Sequence, residues 1–309
     1  MNTVAYWILK ILLYTFSIWP LKVHYFFSNI MAFILYRIVK YRLSTVHYNL
    51  ARSFPDKKYN ELDKLTKDYY KYLTDLAVEM IWGVTHSKQI SKRLVFDNLN
   101  LFTNTFDLNN HILVVIGHQG NWELFSQYKN LYKECGFPDD KTVFFFVYKK
   151  LKNKLMERLT QHIRTKLGTC DFIDHKQIFR HMLRNKDEKG AYFFVADQAP
   201  VNGARFNLDF LNQKSAMFDG PEYIAKKFNM PVLYLEIRRT SRGVYHNIFT
   251  KICDKAKDEK DGFITYKYAK LLEQSISRTP ESYLWSHRRW KKPIEISEKS
   301  KFITKQDYE

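Results

Sequence analysis

Apolar and polar positions divide the chain near residue 42. Residues 4–21, VAYWILKILLYTFSIWPL, are apolar apart from Lys10, and residues 23–39, VHYFFSNIMAFILYRIV, form a second apolar stretch broken by Ser28, Asn29 and Arg37. A membrane-crossing helix needs about 20 mostly apolar residues, so each stretch is borderline. Pro20 predicts a break between them. Lys10, Lys22, Arg37, Lys40 and Arg42 are interleaved with Tyr6, Trp7, Tyr14, Trp19, Tyr25 and Tyr36. Aromatic rings and long basic side chains with this distribution favour the headgroup boundary of a bilayer. No basic leader with a small-residue cleavage site precedes the stretch, so it does not read as a signal peptide. The expectation is a membrane-associated helical segment over residues 1–42; the competing reading is a pair of buried core helices.

Beyond it the period changes. Leu62, Leu65, Tyr69, Tyr72, Leu73 and Leu76 recur at three and four, predicting helix within 44–92 after a turn at Pro55-Asp56. From residue 110, short runs rich in Val, Ile, Phe and Tyr (112–116, 142–148, 191–196 and 231–237) alternate with amphipathic stretches (150–167, 175–185, 221–229 and 263–278). Strand and helix in alternation predict an α/β fold, a mixed sheet flanked by helices, over residues 43–292. Residues 293–309 are polar and charged, and a loose tail is expected there.

Composition narrows the class. Hydrophobic residues make up 45% of the 309, enough for a sizeable core, and the net charge of +18 points to an anionic partner: nucleic acid, an anionic membrane surface, or an acidic substrate or carrier. A nucleic-acid binder has no use for the apolar N-terminus, and no helix-turn-helix, RRM or finger pattern is present. Cys135, Cys170 and Cys253 are too few and too dispersed for a disulfide framework or a zinc site, and fit a reducing, cytoplasm-facing location.

The chemistry concentrates in LVVIGHQGNWELF, which joins a predicted buried strand to a helix. Gly117 and Gly120 permit a tight reversal around His118, and Asn121 is a good helix N-cap. On one continuous helix His118 and Glu123 would stand about 140° apart; with His118 in the loop and Glu123 in the first turn they can converge. A neutral imidazole beside a carboxylate is a general base. No Gly-x-Ser-x-Gly elbow accompanies it, so the base serves a substrate hydroxyl or amine rather than a protein serine. By itself the pair is also compatible with a histidine merely satisfied at a strand end.

GHQGNWE resembles the His-x4-Asp/Glu signature of the glycerolipid acyltransferases, and its Gly-Asn-Trp-Glu form is similar to the lipid A late acyltransferases, the lauroyl and myristoyl transferases of lipopolysaccharide assembly. Three further blocks follow in matching order: Ala196-Asp197-Gln198, FLNQKSAMFDGPEYIAKKFNMPVLYLEIRR, and ESYLWSHRRWKK. The likeness spans roughly residues 1–292. It implies a glycerolipid-acyltransferase-like fold at the bacterial inner membrane with its active site facing the cytoplasm. It further implies transfer of an acyl chain from an acyl carrier protein thioester to a hydroxyl of a lipid A precursor. His118 would deprotonate that hydroxyl and Glu123 would orient and charge-stabilise the imidazole. No metal or organic cofactor is expected, because a thioester is already activated. Related signatures also serve other acceptors, including aminolipids and lysophospholipids, and a non-catalytic membrane scaffold would leave the His118/Glu123 arrangement unexplained.

Candidate substrate contacts are Asn121, Lys149, Arg164, Asp197, Gln198, Arg288 and Arg289. Lys149, in Tyr148-Lys149-Lys150, stands where the family commonly has Tyr-Arg-Pro, which keeps the charge but loses the two-pronged guanidinium. Met217 and Phe218 replace threonines of many relatives and leave Ser215 as the nearest hydroxyl. Asp197, followed by Gln198, reads as catalytic support, as part of a phosphate network, or as a turn residue. Arg288 and Arg289 grip phosphates or form a solvated basic face beside Trp285 and Trp290. Arg164, on a predicted helix with Arg158 and Lys166, belongs to a docking face for an acidic carrier protein or to a plain solvated face.

Overall fold

The computed structural model describes residues 3–126, 143–167, 170–200, 203–291, 294 and 300–308. Two apolar helices open the chain, α1 (Thr3–Ser17) and α2 (Leu21–Phe33), the second running on into a π-helical turn at Ile34–Ile38. Pro20, extended at φ −60° and ψ 145°, separates them as expected. No single described helix is long and apolar enough to cross a membrane; the two together have the length and composition but are bent by 117°.

These helices are not core helices. Tyr6, Leu13 and Ser17 of α1 and Leu21, His24, Ser28 and Ala32 of α2 face inward. The outward positions are apolar as well: Val4, Trp7, Ile8, Ile11 and Leu12 on α1, Phe26, Ile30 and Phe33 on α2, all at least 42% exposed. Ser28 and Asn29, two of the polar residues inside the second stretch, tie it to the rest of the fold. Ser28 donates to Asp75 (2.5 Å), and Arg242 donates to Asn29 (2.9 Å) and to Asp75, fastening α2 to the fourth helix and to the sheet.

The segment predicted helical over 44–92 resolves into α3 (Leu43–Ser53), α4 (Tyr59–Gly83) and the short α5 (Ser87–Ile90). Next come β1 (Leu94–Phe96), α6 (Leu99–Asp107), β2 (His111–Ile116), α7 (Trp122–Ser126), β3 (Phe144–Tyr148), α8 (Lys154–Leu167), β4 (Cys170–Asp174), α9 (Ile178–Arg184) and β5 (Gly190–Val195). A hairpin of β6 (Phe206–Phe210) and β7 (Gln213–Met217) leads to α10 (Gly220–Phe228), a long hairpin of β8 (Val232–Ser241) and β9 (Val244–Cys253), then α11 (Phe263–Arg278). Seven strands form one sheet in the order β1-β9-β8-β2-β5-β3-β4, parallel except for the β8–β9 hairpin. The predicted mixed sheet flanked by helices is therefore present.

β2 is buried at every position because it lies between β5 and β8 and has helices on both faces. Alternate side chains feed two cores. Leu113, Val115, Tyr192 and Phe194 pack towards α4 and α11, whereas Ile112, Val114, Ile116 and Phe193 pack towards α6 and α7. Much of the aromatic excess is spent here: Phe146 stacks on Phe193 at 4.8 Å, and Phe102, Phe125 and Phe144 close around them. Cys170 and Cys253 are buried free thiols, and Cys135 lies outside the described residues.

The expectation of a loose tail needs correction for residues 300–308. β10 (Lys301–Phe302) pairs in parallel with β6 to make a second, three-stranded sheet, and Ile303 is buried. β6 offers an open edge, and that one apolar side chain has a place in the core beneath it.

Candidate active site

Strand register builds the centre. In the β2–β5 pair Ile116 lies opposite Val195, and Ala196 N–H donates to Ile116 O (3.1 Å). Two residues past those partners, His118 and Asp197 leave adjacent strand ends at the same level. Asp197 Oδ1 meets His118 Nδ1 at 2.5 Å. With Nδ1–H donating to the carboxylate, Nε2 is left as the basic nitrogen, and the Gln198 amide N–H donates to it from 3.2 Å.

Burial alone would lower the His118 pKa; the charge and hydrogen bond of Asp197, helped by the charge of Glu123, bring it above the ordinary 6.5 instead. Asp197, 2% exposed, moves the other way: its burial is outweighed by His118 and by the Arg289 guanidinium, which hold its carboxyl below the ordinary range. Asp197, for which the sequence left three readings open, is the carboxylate in contact with the imidazole.

The turn that presents His118 requires Gly120, whose φ is +70° and where a Cβ would come within 2.2 Å of Ile237 O. Gln119 points away from His118, donating to Ser275 O, Thr279 Oγ1 and Ser282 Oγ at 2.9–3.1 Å. Asn121 is the expected N-cap: its Oδ1 accepts the Leu124 N–H at 3.0 Å. Being 2% exposed, it is a structural member of the turn rather than an open contact for substrate.

Glu123 stands in the first turn of α7 as expected, but the residue gripping it is Arg164, which donates from Nε (3.0 Å) and Nη2 to the two carboxylate oxygens. The position of Arg164 corrects the docking-face and solvated-face readings. It is 8% exposed, turned inward, with its guanidinium 4.9–5.5 Å from the ring centres of Trp122, Tyr148 and Phe172. A planar, weakly hydrated cation is suited to such a box, and Glu123 supplies its counter-charge.

The remaining candidates separate. Lys149 is exposed just past β3, on the same edge of the sheet as His118. Arg288 is exposed and lines a cavity of about 410 Å³ with Ser44, Thr45, Tyr48, Asn49, Trp290 and Lys291. Arg289 is 5% exposed, donates to Ala216 O (3.1 Å) and Met217 Sδ (2.7 Å), and supplies positive charge to Asp197. Ser215 is committed structurally, accepting from Trp290 Nε1 (2.7 Å) and donating to Gln213 O (2.9 Å).

Three neighbours escaped the sequence reading. Tyr283 bridges to Gln119, and burial followed by the Asp197 charge raises its phenol well above 10. His287 has its imidazole lowered, chiefly by burial, with Asp197 raising it and His118 lowering it further. Glu79 of α4 is fully buried against Asn121. The first two sit in the recognisable ESYLWSHRRWKK block; nothing local marks Glu79. Among the described residues no group of three or more His, Cys, Asp or Glu is arranged to hold a metal ion.

The arrangement is a half-buried imidazole held by a buried carboxylate at a sheet edge, with a second carboxylate in the first turn of the helix that follows. No curated protein matches the chain. The family model for bacterial lipid A biosynthesis acyltransferases matches residues 1–292, four ordered sequence blocks included, and the chain is thereby a member of that family of acyltransferases.

Proposed function

We propose that His118, oriented by Asp197, is the general base that transfers a fatty acyl chain from an acyl carrier protein thioester to a hydroxyl of a lipid A precursor. The observation that carries this reading is the 2.5 Å contact between His118 Nδ1 and Asp197 Oδ1. It leaves Nε2 as the basic nitrogen, and an acceptor hydroxyl would take the place of the exposed Gln198 amide there. Nε2 takes the hydroxyl proton as the oxygen attacks the thioester carbonyl. The C–S bond then breaks, and the imidazolium returns the proton to the leaving thiolate. Asp197 and Glu123 favour the transient imidazolium electrostatically. Lys149, exposed just past β3, would meet a phosphate of either substrate, and the outward apolar face of α1 and α2 with its neighbouring basic residues suits the cytoplasmic surface of the inner membrane.

The test supplies purified protein with an acyl–acyl carrier protein and a lipid A precursor, and analyses the lipids of a strain lacking the protein by mass spectrometry. Acylated product from the wild type and none from His118→Ala, together with under-acylated lipid A in the strain, is the expected result. Lipid A with its full acyl count and loss of an aminolipid instead would move the acceptor to that class.

A further inference from the structure

Glu79 lies at the centre of a buried hydrogen-bond set. Its Oε1 accepts from Tyr25 Oη of α2 (2.8 Å), and its Oε2 accepts from Tyr245 Oη of β9 (2.6 Å) and from Asn121 Nδ2 (2.8 Å). An isolated buried carboxylate is unfavourable, and burial pushes this one up against the pull of its donors and of Arg239. Such a group holds its place by what it specifies.

What it specifies is the orientation of one amide. Asn121 has an acceptor side and a donor side, and only its neighbours decide which faces which way. Glu79 is acceptor-only when ionised, so it takes Nδ2 and leaves Oδ1 for the Leu124 N–H at the start of α7. Turned the other way, the amide would face an N–H with an N–H and the cap would be lost. That cap fixes the start of α7, and the start sets where Trp122 and Glu123 stand relative to His118.

We propose that Glu79 is a positioning residue of the acyl-transfer site, acting through the Asn121 amide to fix the first turn of α7. The proposal rests on reading the HQGNWE turn as the active site, and the experiment separates the two. In Glu79→Met Asn121 Nδ2 loses its acceptor, whereas the amide of Glu79→Gln alone could turn its oxygen to it. In Asn121→Asp two carboxylates face each other. The double variant, Glu79→Gln with Asn121→Asp, exchanges the roles at that contact and leaves the Tyr245 O–H as the one donor of the set without an acceptor. The amide nitrogen introduced at position 79 gives one hydrogen to the new carboxylate and one to Tyr245 Oη, while the amide oxygen accepts from Tyr25. The second carboxylate oxygen at position 121 keeps the cap.

The readouts are kcat and KM for acyl transfer, and backbone hydrogen exchange of the peptide covering residues 120–126. Each single variant is expected to lower kcat at least tenfold with KM within threefold, and to speed exchange in α7. The double variant is expected to recover most of both losses. Tyr245→Phe, which removes a donor from the same oxygen without touching Asn121, is expected to lower the melting temperature and leave exchange in α7 as it was. A double variant no better than Asn121→Asp in either readout overturns the proposal, as does a Glu79→Met protein with wild-type kcat and exchange. If neither single variant folds, recovery of soluble protein in the double variant supports the proposal and its absence refutes it. A wild type that transfers no acyl group refutes the functional reading while the exchange comparison still decides this one.

Discussion

Replacing Asp197 by Asn tests the centre of the site with a change of one atom. The carboxylate makes the 2.5 Å contact with His118 Nδ1, accepting its proton. An amide at that position tends to turn its NH2 towards Nδ1 and so favours the tautomer with hydrogen on Nε2, the nitrogen that has to be free. A positioned general base contributes roughly 10²–10⁴-fold in rate, and Asp197→Asn is expected to lose most of that factor in kcat/KM. The pH dependence supplies the second half of the test. The proposed role of His118 requires its neutral form, so activity should rise with pH through its pKa, which Asp197 and Glu123 hold above 6.5. In the variant the Asp197 contributions are gone and burial, which lowers the pKa, is opposed by Glu123 alone. The acid limb should therefore move to lower pH while the plateau falls. Asp197 itself has a depressed pKa and stabilises the fold above its ordinary 3.8, an effect lost as pH falls through the lower folded value. At neutral pH the variant gives up a charged hydrogen bond and the attraction of Arg289, a cost of about 1–3 kcal/mol. The assay is a pH–rate profile of acyl transfer across the histidine titration range, with thermal unfolding in parallel. An acid limb that stays in place with a plateau within about threefold of wild type, under 1 kcal/mol, would refute the role given to Asp197 and return that role to Glu123.

Glu123→Gln removes one partner of a largely buried pair and leaves the Arg164 guanidinium among three rings, which should cost about 3–5 kcal/mol in chemical unfolding; its effect on the acid limb should be smaller than that of Asp197→Asn, because Nδ1 keeps its acceptor. Gly120→Ala forces a Cβ into Ile237 O at a positive φ, and is expected to lower stability by roughly 2–4 kcal/mol and abolish transfer; a folded, active variant would show that the turn can take another path. Ile8→Ser with Ile11→Ser changes two exposed side chains of α1, so thermal stability should hold while affinity for anionic vesicles in a co-sedimentation assay falls by about tenfold per residue, or 1.5 kcal/mol each. Unchanged sedimentation would remove this face from any membrane contact.

The sequence was most informative where one strong period or one residue type dominates. Five apolar residues at 112–116 announce a buried strand, Pro20 a break, and Gly120 with Asn121 a turn into a helix, and each is where it was expected. Strands β1, β4, β6, β7, β9 and β10 were not legible. β9, for example, alternates between buried and partly exposed positions and draws its pairing from β8 and β1, which no local window contains. The site shows the same division. Local spacing pointed to His118 and Glu123, five residues apart, whereas the bond that sets the tautomer joins residues 79 positions apart through strand register. Charge without context misled at Arg164: a helix carrying Lys154, Arg158, Arg164 and Lys166 looks solvated until the aromatic box and Glu123 are placed beside one of them.

Three acids surround His118 and its turn, and an arginine bears on each: Arg289 on Asp197, Arg164 clasping Glu123, and Arg239, itself paired with Asp75, on Glu79. In a poorly solvated site, unpaired carboxylates so close to one imidazole would compete for protons and raise one another's affinity for them. Pairing each with a permanent cation opposes that. The three arginines come from the closing block, from α8 and from β8, elements spread through the second half of the chain. At the catalytic pair the same balance favours a charged Asp197 and leaves the imidazole as the group whose proton can move near neutral pH. Neutralising any one arginine should therefore act on its own acid first: Arg289→Gln ought to raise the pKa of Asp197, weaken its hold on His118, and carry the acid limb of acyl transfer to lower pH, as Asp197→Asn does but by a smaller step. An acid limb that moves to higher pH instead would mean that Arg289 acts mainly by direct repulsion of the imidazolium, and would break the proposed chain from arginine to carboxylate to base.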